Sequence, residues 1–133
     1  MNNFLQPRYG LRESSATLAE RVYATAFEAL ERGEAQQAER FFGLLALLSP
    51  RDERAWVGLA ISRENRGDWP MAAAMYLFGT AFAPGSVWCH LGRARALRQL
   101  GQDAEAEVAF DEALDNTDDE AFEALIESER RAS

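Results

Sequence analysis

A spacing of 34 residues recurs along the chain and restricts its fold more than any other feature. Gly33, Gly67 and Gly101 lie one such interval apart. Each stands between two stretches with helical apolar spacing, where a turn needs a residue that adopts φ > 0 without steric cost. Small and aromatic residues repeat at equal offsets from these glycines. They are Ala26, Ala60 and Ala94, then Ala38, Ala72 and Ala106, then Phe42, Tyr76 and Phe110.

Repeated pairs of helices with a period of about 34 residues are the pattern of tetratricopeptide repeats. The clearest unit covers residues 54–84, with a turn at Gly67 and a closing Pro84. We therefore predict an all-α fold: three tetratricopeptide-type helix pairs in a right-handed superhelix plus a C-terminal capping helix. The predicted boundaries are 1–16 for a flexible lead-in and 17–133 for a single repeat domain, with repeats at about 19–52, 53–86 and 87–118 and the capping helix at 119–131.

Capping residues predict where the helices begin. Thr17 and Glu20 fit a capping box that would start the first helix at about residue 17. Asp52, Asp68 and Ser86 precede the third, fourth and fifth helices, where a side-chain oxygen can accept from a free backbone amide. The second helix is expected at about 35–48 and the sixth at about 103–116.

Charge and composition argue against several classes of function. The net charge of −8 argues against nucleic acid as a partner, because such binding requires a basic surface. The chain lacks a long apolar run, so we expect no stable membrane insertion. Cys89 is the single cysteine and the N-terminus lacks a signal-peptide pattern, so we expect a soluble cytoplasmic protein.

The sequence contains no arrangement that predicts an enzyme. His90 is the only histidine and directly follows Cys89. Neighbours on a helix point in different directions, so these two residues do not form a nucleophile–base pair. A metal site would need carboxylates that the spacing does not supply. We expect His90 to pack between helices, and we expect no catalytic residues, no bound metal and no cofactor.

The inner face of the repeat stack is the remaining candidate site. The first helix of each pair lines the concave side of such a superhelix. Its residues at three- and four-residue spacing form one stripe, and an apolar stripe suits an extended peptide whose alternate side chains enter pockets. The alternative is that these residues are core. The predicted groove residues are Tyr23, Phe27, Leu30, Arg54, Val57, Ile61, Trp88, Leu91 and Arg95.

Several segments resemble one known family, the class II chaperones of type III secretion systems. They are YATAF at 23–27, FFGLLALLSPRD at 41–52, WVGLAISRENRGDW at 56–69 and EAEVAFDEAL at 105–114. The resemblance implies a bacterial cytoplasmic chaperone that binds an extended, Pro- and Leu-containing N-terminal segment of pore-forming translocator proteins and keeps them soluble. It also implies that Tyr23 and Phe27 line the groove, followed by Leu30, Val57 and Ile61.

Other functions stay open at this stage. A tetratricopeptide adaptor, scaffold or needle-subunit co-chaperone would bind a helix or a folded partner instead of an extended segment. A regulatory protein is a further partner compatible with chaperone function. A homodimer is also left open. Members of the family usually carry a longer N-terminal region that contributes to dimer contacts, whereas only about 16 residues precede the first predicted repeat here.

Overall fold

A computed structural model of the protein describes residues 5–132, with side chains described for residues 17–132. This range forms seven helices joined by short turns. The helices are α1 (Leu5–Glu31), α2 (Ala35–Leu48), α3 (Glu53–Glu64), α4 (Trp69–Phe82), α5 (Val87–Gln99), α6 (Asp103–Asp115) and α7 (Glu120–Arg131).

The turns within the helix pairs use the three periodic glycines. Gly33, Gly67 and Gly101 have φ angles of 76°, 75° and 75°. This is the left-handed region that side chains with a Cβ atom disfavour. The prediction that each turn needs φ > 0 is therefore confirmed.

The three predicted N-cap residues are confirmed as well. The Asp52 carboxylate accepts from the backbone amide two residues further on, at 3.0 Å. Asp68 and Ser86 each accept from the amide three residues further on, at 3.2 Å. Each side chain satisfies one of the amides that the first helical turn leaves without a partner.

The start of α1 differs from the prediction. Residues 5–16 already belong to α1, so the helix does not begin at a capping box on Thr17. The expected lead-in is therefore helical over this range instead of irregular, and residues 1–4 lie outside the described part of the chain. Pro7 falls in the first turn, where backbone amides lack intrahelical partners and proline is tolerated. Gly10 costs only about 1 kcal/mol relative to alanine, which is too little to end a helix.

Consecutive helices pack as antiparallel pairs, α1 with α2, α3 with α4 and α5 with α6. The second helix of each of the first two pairs also packs on the first helix of the next pair. Contacts between α1 and α3 and between α3 and α5 place the first helices side by side. They form one wall of the stack, and α7 follows α6 at its end.

Glycines allow this close packing between repeats. The ring of Phe42 on α2 lies across Gly58 on α3, and the ring of Tyr76 on α4 lies across Gly92 on α5. A Cβ atom at either glycine would come within 2.3 Å of that ring. The aromatic and the glycine repeat together with the period (42 to 76, 58 to 92). The same contact, an aromatic ring packed on a glycine, therefore joins the first repeat to the second and the second to the third.

None of the helices within residues 5–132 combines the length and apolar composition that crossing a bilayer requires.

Candidate functional site

The concave wall formed by α1, α3 and α5 contains a pocket of about 240 Å³. Its walls are apolar except for one arginine. Seven of the nine predicted groove residues come together here, with Phe42 and Gly58 in addition. The lining residues are Tyr23, Phe27, Leu30, Phe42, Arg54, Val57, Gly58, Ile61 and Trp88.

The repeat register explains why residues distant in the sequence meet in this pocket. Tyr23 and Val57 occupy equivalent positions in consecutive repeats, as do Phe27 and Ile61 (23 to 57, 27 to 61). Because α1 and α3 lie side by side, their stripes merge into one surface. Phe27 is 44% exposed and Trp88 45%, so both rings can be reached from solvent.

Phe42 and Gly58 were not predicted from the sequence to line the pocket. Phe42 is buried on α2 and forms the floor of the pocket, because Gly58 leaves its ring room beneath α3. The Tyr23 ring meets the Phe42 ring edge-on, with centroids 6.4 Å apart. The shared 16-residue interval (42 to 58, 76 to 92) was the available signal for this contact.

Arg54 brings a charge to the pocket, but that charge is compensated. Its guanidinium Nη2 atom lies 2.7 Å from Asp52 Oδ2 and 2.8 Å from Glu20 Oε1. The same guanidinium stacks over the Tyr23 ring, with Cζ 4.1 Å from the ring centroid. Arg54 therefore fixes the Tyr23 ring and joins α1 to α3, and it leaves the pocket without an unbalanced charge.

This ion pair has a pH dependence that can be tested. Hydrogen bonds from the Arg54 side chain hold the pKa of Asp52 below its ordinary value, so its contribution to stability is present at neutral pH and lost as the pH falls below about 4. We expect Asp52→Asn to lower the free energy of unfolding by about 1 kcal/mol at pH 7, because Asn still caps α3 but carries no charge. The difference should be smaller at pH 3 than at pH 7 in urea unfolding, because the Asp52 charge is progressively lost as the pH falls towards its lowered pKa. A constant difference at both pH values would contradict this ion-pair contribution.

Two predicted groove residues lie outside the pocket. Leu91 is fully buried in a cluster with Phe110 and Ile126, so its prediction as a groove residue is wrong. The period places Leu91 in the same row as Val57, but α7 packs against that side of the third repeat. Arg95 lies in a separate depression and forms a two-bond ion pair with Glu129 of α7, at 2.6 and 2.8 Å.

The separate depression, of about 270 Å³, differs chemically from the pocket because charged side chains line it. Burial raises the pKa of the Glu64 carboxyl, and the Tyr76 hydroxyl donates to its Oε1 atom at 2.7 Å. The residue equivalent to Glu64 in the first repeat is Leu30 (30 to 64). The concave wall is therefore apolar at the N-terminal end of the stack and polar towards α7.

The environment of Cys89 and His90 indicates packing instead of chemistry. Burial raises the pKa of the Cys89 thiol, which disfavours the reactive thiolate. His90 is 7% exposed, with Nε2 3.0 Å from the Pro84 carbonyl oxygen and Nδ1 3.2 Å from Glu112 Oε2. The predicted packing position of His90 is confirmed. Among the described residues, no group of three or more His, Cys, Asp or Glu side chains is arranged to hold a metal ion.

Comparisons with known proteins identify relatives of this architecture. No family model matches the chain. The low calcium response locus protein H of Yersinia pestis is 30% identical over 97 residues, which are 73% of this chain and 58% of that protein. The chain thus spans less than two thirds of the length of this curated relative.

Solved structures match over most of the chain. The type III secretion translocator chaperone SycD of Yersinia enterocolitica superposes with a TM-score of 0.81 at 27% identity, covering 92% of this chain and 95% of SycD. SycD in complex with a peptide of the translocator YopD matches with a TM-score of 0.78 at 27% identity, covering 88% and 92% of the two chains. The predicted all-α fold of tetratricopeptide-type helix pairs is confirmed by these matches.

Proposed function

We propose that this chain, which resembles the type III secretion translocator chaperone SycD over most of its length, is a class II translocator chaperone that binds an extended segment of a translocator protein in its concave groove. The apolar pocket beside Tyr23 and Phe27 carries this proposal. It has the size of one or two apolar side chains and no unbalanced charge, so it suits an anchor residue of an extended peptide. The SycD complex with a YopD peptide supports the same use of this fold.

The proposed role requires binding without catalysis. A client segment held in the groove would be kept from associating prematurely, and the client would stay soluble before secretion. We propose that this role is carried out in the bacterial cytoplasm, where clients would be held before export. A proline-containing segment is favoured because it is already extended and loses little conformational entropy on binding.

Recovery of a client from the native cytoplasm tests this function. We expect the tagged full-length chain to retain a secreted protein with hydrophobic segments, identified by mass spectrometry. Ile61→Arg should reduce that recovery about tenfold, because a charge placed in the apolar pocket must be desolvated when an apolar anchor enters. Ile61 is only partly buried, so the fold should persist, which circular dichroism would check.

Leu47→Ala is the matched control for this capture experiment. Leu47 is 83% exposed on α2 and does not line the pocket, so its replacement should leave recovery unchanged. Equal recovery by Ile61→Arg and wild type would overturn the groove as the client site. It would favour an adaptor that binds a folded partner on another surface.

A further inference from the structure

The C-terminal helix α7 is attached to the third repeat largely through polar contacts. Ile126 is the only residue of α7 that is buried. Phe122 adds an edge-on contact with the Trp88 ring, with centroids 4.7 Å apart. Most of the remaining attachment comes from arginines on α5 and α7. Amphipathic helices are usually held by a broader apolar face, so this contact is narrow for a terminal helix.

Two arginines of α5 hold the C-terminal end of α7. Arg95 forms the two-bond ion pair with Glu129. Arg98 donates to the backbone carbonyl oxygens of Glu129 at 2.6 Å, Ala132 at 2.9 Å and Arg130. A cation at this position satisfies carbonyls that the last helical turn leaves free and opposes the negative end of the helix dipole.

A third arginine makes a second set of contacts, between α7 and α6. Arg130 lies 2.7 Å from Glu107 Oε2 and 2.7 Å from Asp111 Oδ1, both on α6. These carboxylates are 49% and 62% exposed, so dissolved ions can screen the pairs. The attachment of α7 therefore depends on ionic strength more than the glycine-mediated packing between the repeats does.

The position of α7 also determines where the groove ends. Leu91 continues the row of Tyr23 and Val57 along the concave wall (23 to 57 to 91). It is fully buried in the cluster to which α7 contributes Ile126 and Phe122. Phe122 of α7 contacts Trp88, which lies three residues before Leu91 on α5. Glu129 of α7 pairs with Arg95, which lies four residues after Leu91. The docked helix therefore lies over the third position of a row that is open in the first two repeats.

We propose that α7 is a releasable strap that closes the C-terminal end of the groove. In the docked state the pocket ends at Trp88, which touches both the pocket and Phe122 of the strap. Release of α7 uncovers Leu91 and frees Arg95 and Arg98 from their α7 partners. The groove then extends over one more apolar position followed by two cations.

This proposal rests on the proposed function and specifies the client segment further. The longer groove fits an extended apolar segment that carries carboxylates at one end. Those carboxylates would replace Glu129 at Arg95 and the helix-end carbonyls at Arg98. The client carboxylates would give Arg95 and Arg98 new partners, so neither arginine would be left unpaired on the concave wall.

Hydrogen exchange of the full-length chain tests the strap without any client. Between about 20 and 500 mM NaCl, we expect exchange of α7 amides to accelerate about threefold or more while α3 amides stay unchanged. Arg98→Ala should make α7 exchange fast already at low salt. Arg130→Ala, which removes only the exposed pairs, should remove most of the salt dependence.

Arg131→Ala is the matched control, since Arg131 is exposed in the same final turn of α7. In this variant the α7 amides should exchange at the same rates as in the wild type, at both salt concentrations. The proposal is overturned if α7 and α3 exchange at the same rate at both salt concentrations, in the wild type and in both arginine variants. Protection of α3 shows directly that a variant has kept its fold.

Synthetic peptides test the extended groove. Three peptides are compared: a ten-residue peptide of alternating Pro and Leu, the same peptide with two aspartates added at its N-terminus, and the same peptide with two aspartates added at its C-terminus. Aspartates at one end should tighten binding to the wild type about threefold, and Arg95→Gln should abolish that gain. If aspartates at neither end change affinity, the extended site is wrong. If the plain peptide fails to bind, the proposed function is contradicted, while the exchange result still decides the strap.

Discussion

Tyr23→Ala combined with Phe27→Ala is expected to weaken binding of an extended client segment about 100-fold, since aromatic anchors carry most of the affinity of such sites. Both rings line the pocket, with centroids 6.1 Å apart. Their removal leaves a shallow surface that excludes water from an apolar anchor poorly. Isothermal titration calorimetry with the recovered client segment measures the change.

The matched control for this variant is Leu47→Ala combined with Phe78→Ala. Leu47 and Phe78 are large exposed apolar residues that do not line the pocket. Their replacement removes similar apolar area but should leave client affinity unchanged. The helical circular dichroism of the groove variant should stay close to that of the wild type. If the groove variant unfolds instead, Tyr23 and Phe27 act as core and the groove is wrong.

Gly92→Ala is expected to lower the free energy of unfolding by about 2–3 kcal/mol, because the new methyl group overpacks a fixed interface. Its Cβ would lie 2.3 Å from the Tyr76 ring. That ring is 2% exposed, and the hydroxyl bond to Glu64 restrains it further. Neither the ring nor α5 can therefore move aside cheaply. Urea unfolding followed by circular dichroism measures the loss.

Gly43→Ala is expected to have the opposite effect on the free energy of unfolding, because this helical glycine has open space around it. Nothing lies within 4 Å of a Cβ built at Gly43. The substitution should therefore raise the free energy of unfolding by about 0.5–1 kcal/mol, since alanine loses less backbone entropy in a helix. If the free energy of unfolding of Gly92→Ala is as high as that of Gly43→Ala, close packing of the Tyr76 ring on Gly92 is not what joins the second repeat to the third.

Most of the candidate pocket could be predicted from the sequence because its residues follow the helical period. Tyr23, Phe27 and Ile61 were found from three- and four-residue spacing on the first helix of each pair. Phe42 was missed because it lies on a second helix and reaches the pocket only beneath Gly58. Local spacing contains no information on which ring crosses which glycine until two helices are packed.

The sequence by itself determined the helices, their turns and the register between repeats. Gly33, Gly67 and Gly101 required φ > 0 locally, and capping side chains acted within three residues of their own position, so both could be predicted without tertiary contacts. Tertiary structure alone decided which members of a periodic row stay open. Val57 and Leu91 occupy equivalent positions, yet of the two only Leu91 is buried, because α7 packs on the third repeat. The attachment of α7 depends on arginine contacts between helices that are far apart in the sequence, which local spacing does not reveal.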